Sequence, residues 1–430
     1  MHFFTSLFIS LCLVCAIVMW SQRKEGSNAA SGKVSLEFRK SQRIYLAAYL
    51  CAVIADWLQG PYVYALYEHY KFSKQEIGVL FIAGFGSSAV FGTFTGEFAD
   101  RYGRKLACLM YCALYGISCL TKHSPSFWWL LVGRITGGIA TSILYSCFES
   151  WLVANHNLKH FPSELLSNTF SLASSGNAIV AIASGWMGGF VRDTFDSLVA
   201  PFDLANFFCI LCAGVIMATW QENKGEAGGL PTMKDPNAPS KNRTKMALLV
   251  LQRDPKVAIL GITQSLFEGS MYIFVFMWTP KLEPHWKDLP HSRVFGCFMA
   301  SMTLGSALIG PLQKRYSPEV YMRYLFAISA VLMAITASGV ADGYTTTACF
   351  LIFEGACGVY FPSMGVVKSK YVPEEVRATI YNIFRIPLNI IVCTVLANLK
   401  TFSGLFLDTL ATHKQHISNT LATHGRPKTF

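Results

Sequence analysis

Charge is what this sequence has least of. Only 14% of its 430 residues are Asp, Glu, Lys or Arg, against about 25% in soluble domains. That scarcity excludes a disordered chain, which needs high charge and little apolar content, and an ordinary cytosolic enzyme. No glycine-rich phosphate loop followed by Lys-Ser or Lys-Thr occurs, so ATP-driven work is unsupported. No nucleophile–base arrangement stands out on the polar connectors, so neither catalysis nor a cofactor is expected. The 13 cysteines fall inside or at the edges of apolar stretches, which excludes a secreted disulfide scaffold. Cys12-x-x-Cys15 and Cys209-x-x-Cys212 have metal-like spacing, but both lie in continuous hydrophobic runs where packing is the expected role. What the chain does have is 52% apolar residues, 32 phenylalanines and a positive mean hydropathy. The class is an all-α membrane protein with many spans.

The formal net charge of +11 raises nucleic acid or anionic lipid as a partner. Its location argues against nucleic acid, because the basic residues sit in a few short connectors between apolar segments. A membrane helix needs about 20 mainly apolar residues. That window predicts spans near 3–20, 43–66, 76–96, 105–121, 127–151, 165–191, 201–220, 256–280, 294–312, 319–340, 345–367 and 376–399. Lys and Arg mark the cytoplasmic side. They crowd the connector after the first span (Arg23, Lys24, Lys33, Arg39, Lys40, Arg43), the short loop Arg101–Lys105, and the long segment 221–255. The first span lacks the basic n-region of a cleavable signal, so residues 1–22 read as an anchor with an outside N-terminus. The sequon at Asn242 then stays inside and unmodified. The polar break at 221–255 divides the chain into a six-helix half over 43–220 and a half of five spans over 256–399. Six-helix halves about a cytoplasmic linker are a common plan of secondary transporters, with substrate held between them.

Two motifs sharpen this plan. Gly96-Glu97-Phe98-Ala99-Asp100-Arg101-Tyr102-Gly103-Arg104-Lys105 resembles the G-x-x-x-D-R-x-G-R-K signature of the major facilitator superfamily, and Gly133-Arg134 with Gly137 and Gly138 resembles its fourth-helix arginine motif. A narrower likeness lies in Asp56-Trp57-Leu58-Gln59-Gly60-Pro61-Tyr62, Phe148-Glu149-Ser150-Trp151, Trp278-Thr279-Pro280, Tyr360-Phe361-Pro362-Ser363 and Asn382-Ile383-Phe384-Arg385-Ile386-Pro387. These stretches look like the molybdate-anion transporter family, over roughly Tyr45 to Leu399. The resemblance implies a multi-pass cell-membrane carrier that takes up molybdate. The sequence departs from that pattern after Leu399. Residues 400–430 form a polar tail with Leu-Ala-Thr-His twice and no apolar run long enough for a last core helix. A transporter and a non-transporting truncated isoform therefore both remain open.

Ionisable groups deep in a bilayer cost several kcal/mol, and each is a functional candidate. Five lie on the order of 12 Å inside predicted spans: Asp56, Arg134, Glu268, Glu354 and Arg385. They are spread over both halves, as a site between halves requires. Guanidinium forks suit a tetrahedral oxyanion, which makes Arg134 and Arg385 the expected anion ligands. Gln59, Tyr62, Gln264, Asn382, Tyr360 and Ser363 on the same helices supply neutral donors. With two cations against three carboxylates the site is net negative, so a dianion demands that one carboxylate be neutral. Proton-coupled uptake, with Glu268 or Glu354 carrying the proton, is the expectation. The plainer reading pairs Arg134 with Asp56 and Arg385 with Glu354 as structural ion pairs. Sulfate or an organic anion would use the same residue types. Gly96, Asp100, Arg101, Gly103, Arg104 and Glu149 are expected to form a conformational latch, with Glu149 pairing with Arg101 or Arg104 and Asp100 at a helix N-terminus. Trp128, Trp129 and Trp220 are expected to anchor helix ends at the interface.

Overall fold

Lipid offers no partner to a peptide N–H, so an apolar chain crossing it must bond its own backbone, and a helix is the simplest solution. The computed structural model describes residues 2–26, 36–223, 240–373 and 377–398, and within them the regular structure is helical throughout. The elements are α1 (His2–Gly26), α2 (Leu36–Gln59), α3 (Val63–His69), α4 (Lys74–Tyr102), α5 (Arg104–Leu120), α6 (Phe127–Leu158), α7 (Ser163–Phe195) and α8 (Ala200–Thr219). They continue with α9 (Ser240–Arg253), α10 (Pro255–Leu282), α11 (His291–Ala307), α12 (Ile309–Arg315), α13 (Pro318–Ala337), α14 (Gly343–Tyr371) and α15 (Arg377–Ala397). Every window predicted from hydropathy holds a helix. Seven helices are long and apolar enough to cross a membrane by themselves, and α2 with α3 makes an eighth, bent by 41°. The expectation that 400–430 is a polar tail without a last core helix falls on residues outside those described.

The helices alternate between two ends. One end carries the Arg101–Lys105 loop and the start of α10 and is called the basic end here. The opposite end carries the turn before α4, the 3₁₀ turn Thr121–His123 and the 3₁₀ turn Glu283–His285. Buried apolar side chains form two clusters. The first draws on α2 to α8, joined by Phe276, Leu388, Val392 and Leu396. The second draws mainly on α10 to α15, with Phe4 of α1.

The recorded contacts between clusters crowd toward the opposite end. On α7, a Cβ at Gly185 would stand 2.8 Å from the Gly296 backbone of α11, so only glycine lets these helices touch. Gly60, in the break between α2 and α3, leaves room for the Phe295 ring in the same way. Tyr64 meets Phe276 edge-on at 5.3 Å, and Phe85 meets Tyr272 at 4.7 Å. At the outermost layer the Glu68 and Glu283 side chains lie close enough for each charge to act on the other, and His291 Nε2 lies 3.0 Å from Glu283.

The first helix, α1, packs on α11. The Cys15 thiol donates to the Ala300 carbonyl at 3.3 Å, and Phe3 stacks on Trp286 at 5.4 Å. The Cys212 thiol likewise donates to Ala48 on a neighbouring helix. One interfacial expectation needs correction. Trp128 and Trp129 are 73% and 60% exposed, as anchors should be, but Trp220 is only 2% exposed. It stacks on Trp151 at 3.7 Å, and the Trp151 indole donates to the Gln221 carbonyl, so this pair closes the first cluster instead of meeting lipid.

Candidate substrate site

The α6 helix carries Arg134 toward α4. Its Nε donates to the Leu80 carbonyl at 3.1 Å, and the guanidinium lies over Phe81 (4.7 Å to the ring centre) and Phe85 (5.9 Å). Gly84 makes this possible, because any Cβ there would collide with the guanidinium. No carboxylate lies within ion-pair distance of Arg134 among the described residues. The expected pair with Asp56 does not form. Asp56 is held by neutral donors: Tyr115 Oη donates to Oδ1 at 2.7 Å and Tyr145 Oη to Oδ2 at 3.2 Å. Two phenols satisfy the carboxylate and leave the guanidinium's terminal nitrogens available.

From the second cluster comes Arg385, on α15. It is partly buried and points at α4, where a Cβ on Gly92 would stand 3.2 Å from its Nη1. It forms no ion pair with Glu354 among the described residues. Glu354 itself is only 5% exposed, with no hydrogen bond to any other described residue. The carboxylate that Arg385 does feel is Glu268 on α10. Tyr360 Oη donates to Glu268 Oε1 at 3.1 Å, the Gln264 side chain hydrogen-bonds it, and Lys368 adds a second cation nearby. Lys368 lies on α14 toward the basic end, with Nζ 4.7 Å from the centre of the Tyr381 ring. Sequence reasoning passed over this lysine, because the predicted span 345–367 ends one residue before it. Its signal was the seven-residue spacing Glu354–Phe361–Lys368, which sets the three on one helix face.

Other expected ligands lie elsewhere. Gln59 turns inward, its Nε2 on the Cys119 sulfur at 3.2 Å, because the chain breaks at Gly60 and ends α2 against α5. Tyr62 hydrogen-bonds Ser292 in the opposite-end contact, and Ser363 pairs with Tyr321 of α13 at 2.7 Å. The side chain of Asn382 lies outside the described residues.

The latch region also differs in detail. Gly103 takes φ +128°, a left-handed backbone, and lets the Glu222 carboxylate sit against the start of α5. Glu222 accepts from the Lys105 and Leu106 N–H groups at 2.9 and 3.1 Å, where a helix N-terminus favours an anion. Lys105 Nζ donates to the Trp220 carbonyl at 2.7 Å. Glu149 forms no ion pair with Arg101 or Arg104 among the described residues; its charge lies near Tyr45 and Tyr49 of α2. The side chains of Glu97 and Asp100, and any side contact at Gly96, lie outside the described residues.

Comparison with known proteins gives one family and one fold. A family model described as sugar transporters with 12 TM segments matches residues 3–348. The molybdate-anion transporter of Takifugu rubripes is 34% identical over 417 residues, covering 91% of this chain and 86% of its own. That of Danio rerio is 34% identical over 411 residues, covering 90% and 85%. Among solved structures, the nucleoside transporter NupG superposes with a TM-score of 0.66 at 15% identity, over 83% of this chain and 90% of that one.

Proposed function

The chain belongs to the molybdate-anion transporter family and has the major facilitator fold of a multi-pass membrane transporter, and from that premise we propose that its own cargo is molybdate, taken up by alternating access. One observation carries the reading. Arg134 from the first cluster and Arg385 from the second each present a guanidinium without a carboxylate bonded to it among the described residues. Both guanidinium groups reach α4, Arg134 at Gly84 and Arg385 at Gly92, eight residues or about 12 Å apart along that helix, so each fork can take the tetrahedral dianion at its own depth along one path. Rocking the six-helix half (43–220) against the second half (256–399) would then expose that path to either side in turn. The tight glycine contacts at the opposite end fit the state that faces the basic, cytoplasmic side.

Charge supports proton coupling. With Lys368 included, three cations face three carboxylates, and the site is neutral before the anion arrives. A dianion then brings two uncompensated charges, and a proton on Glu268 or Glu354 removes one of them. Glu268 is the better placed, lying among Tyr360, Gln264 and two cations. Sulfate is the nearest competing cargo, because it shares molybdate's charge and geometry and differs in size. The test is molybdate uptake by cells expressing this chain, with and without competing sulfate and across an imposed pH gradient. Uptake that Arg134→Gln and Arg385→Gln both abolish is expected. Wild-type transport that neither substitution changes would remove the proposed site, and uptake indifferent to the gradient would remove the proton.

A further inference from the structure

Two lysines stand two residues apart near the basic end of α14, and their surroundings differ. Lys370 is ion-paired to Glu319 of α13 at 2.6 Å, an exposed clamp between neighbouring helices. Lys368 is partly buried and lies against the Tyr381 ring of α15, with no hydrogen bond or ion pair to a carboxylate among the described residues. Tyr381 is four residues before Arg385, so ring and guanidinium share a face of α15. Depth along the helices orders the cations. Arg134 is seven residues from the opposite-end start of α6, about 10 Å in at 1.5 Å per residue. Arg385 is eight residues from the basic-end start of α15, about 12 Å in, and Lys368 is three from the basic end of α14, about 5 Å in. Glu268, 13 residues along α10, lies about 20 Å from that end. The cations therefore descend from one end toward the other, and Glu268, whose charge acts on Arg385 and Lys368, lies above Lys368.

We propose that Lys368 is the release-side anion site: the oxyanion passes from the arginine pair to the Lys368 ammonium before it leaves at the basic end. This rests on the transport reading above. The ammonium suits a release step. It is a compact, strongly hydrated point charge that grips an oxyanion less specifically than a guanidinium fork. Its cation–π contact with Tyr381 holds it in the path without neutralising it. Glu268 supplies the return, attracting Lys368 once the anion has gone.

The experiment measures molybdate flux in both directions in proteoliposomes reconstituted with the full chain. Replacing Lys368 with Gln should raise the half-saturating molybdate concentration about tenfold when the anion is offered at the basic side. The shift should be less than twofold when it is offered at the opposite side. Lys370→Gln, which breaks only the Glu319 clamp, should show no such asymmetry. An equal shift on both sides, or none, would overturn the assignment while leaving the arginine site standing. If Lys368→Gln does not insert, Lys368→Arg decides. A bidentate fork at that point should slow basic-side release severalfold and leave opposite-side half-saturation unchanged, and symmetric behaviour overturns the proposal. A wild-type protein that moves no molybdate in either direction defeats the transport reading, and this inference with it.

Discussion

Arg134 and Arg385 both reach α4, at Gly84 and at Gly92, from two differently built neighbourhoods. Around Arg134 there are aromatic faces and a backbone carbonyl, and Asp56 of the same half is occupied by Tyr115 and Tyr145. Around Arg385 there are other charges: Glu268, and through it Lys368, with Tyr360 and Gln264 as neutral neighbours. In the first neighbourhood the charged groups have neutral partners: a backbone carbonyl for Arg134 and two phenols for Asp56. The second is a set of charges in mutual balance, where moving or neutralising one alters the field at the others. If the proposed site is right, the first neighbourhood would hold the cargo and the second would respond to it.

Several substitutions would break or sharpen that contrast. The largest effect is expected from Arg385→Gln. A charge-assisted contact of about 1.5–3 kcal/mol is lost, and Glu268 is left under-compensated, so transport efficiency should fall on the order of 100-fold. Flux measurements on protein confirmed at the membrane check it, and a loss below threefold would contradict the assigned role. Next comes Arg134→Lys, which keeps the charge but loses the fork and most of the stacking on Phe81 and Phe85. About a tenfold rise in half-saturating molybdate is expected, and unchanged uptake would mean that charge alone suffices there. Smallest are the tyrosines. Tyr115→Phe removes the shorter donor to Asp56 and should cost about 1–3 kcal/mol of stability, read as a lowered melting temperature in detergent. Tyr145→Phe, with its longer bond, should cost under about 1 kcal/mol. A reversed order would show that Asp56 leans on α6 and not on α5.

Much of the fold was legible because lipid imposes it. Hydropathy placed a helix at every window, since a long apolar stretch has few other options. The functional details were less legible, for reasons that particular residues show. Asp56 and Arg134 are opposite charges on adjacent helices, and sequence cannot say that two distant tyrosines reach the carboxylate first. Gln59 belongs to a motif, but the break at Gly60 turns it away from the interface. Glu222 looked like the opening of a polar linker, and its role appears only when the left-handed turn at Gly103 admits it to the start of α5. Lys368 was passed over because the predicted span stops at residue 367, although α14 continues to Tyr371 and carries the lysine inward of its end.

The seat of α1 carries a practical consequence. Although it precedes the first bundle in the chain, its Phe3, Phe4 and Cys15 are bound to partners on α11, α14 and the turn between α10 and α11. A fluorophore attached beside Phe3 would thus report the orientation of the downstream bundle. Paired with a dye on the loop between α7 and α8, it turns any rocking of the molecule into a distance change readable by energy transfer.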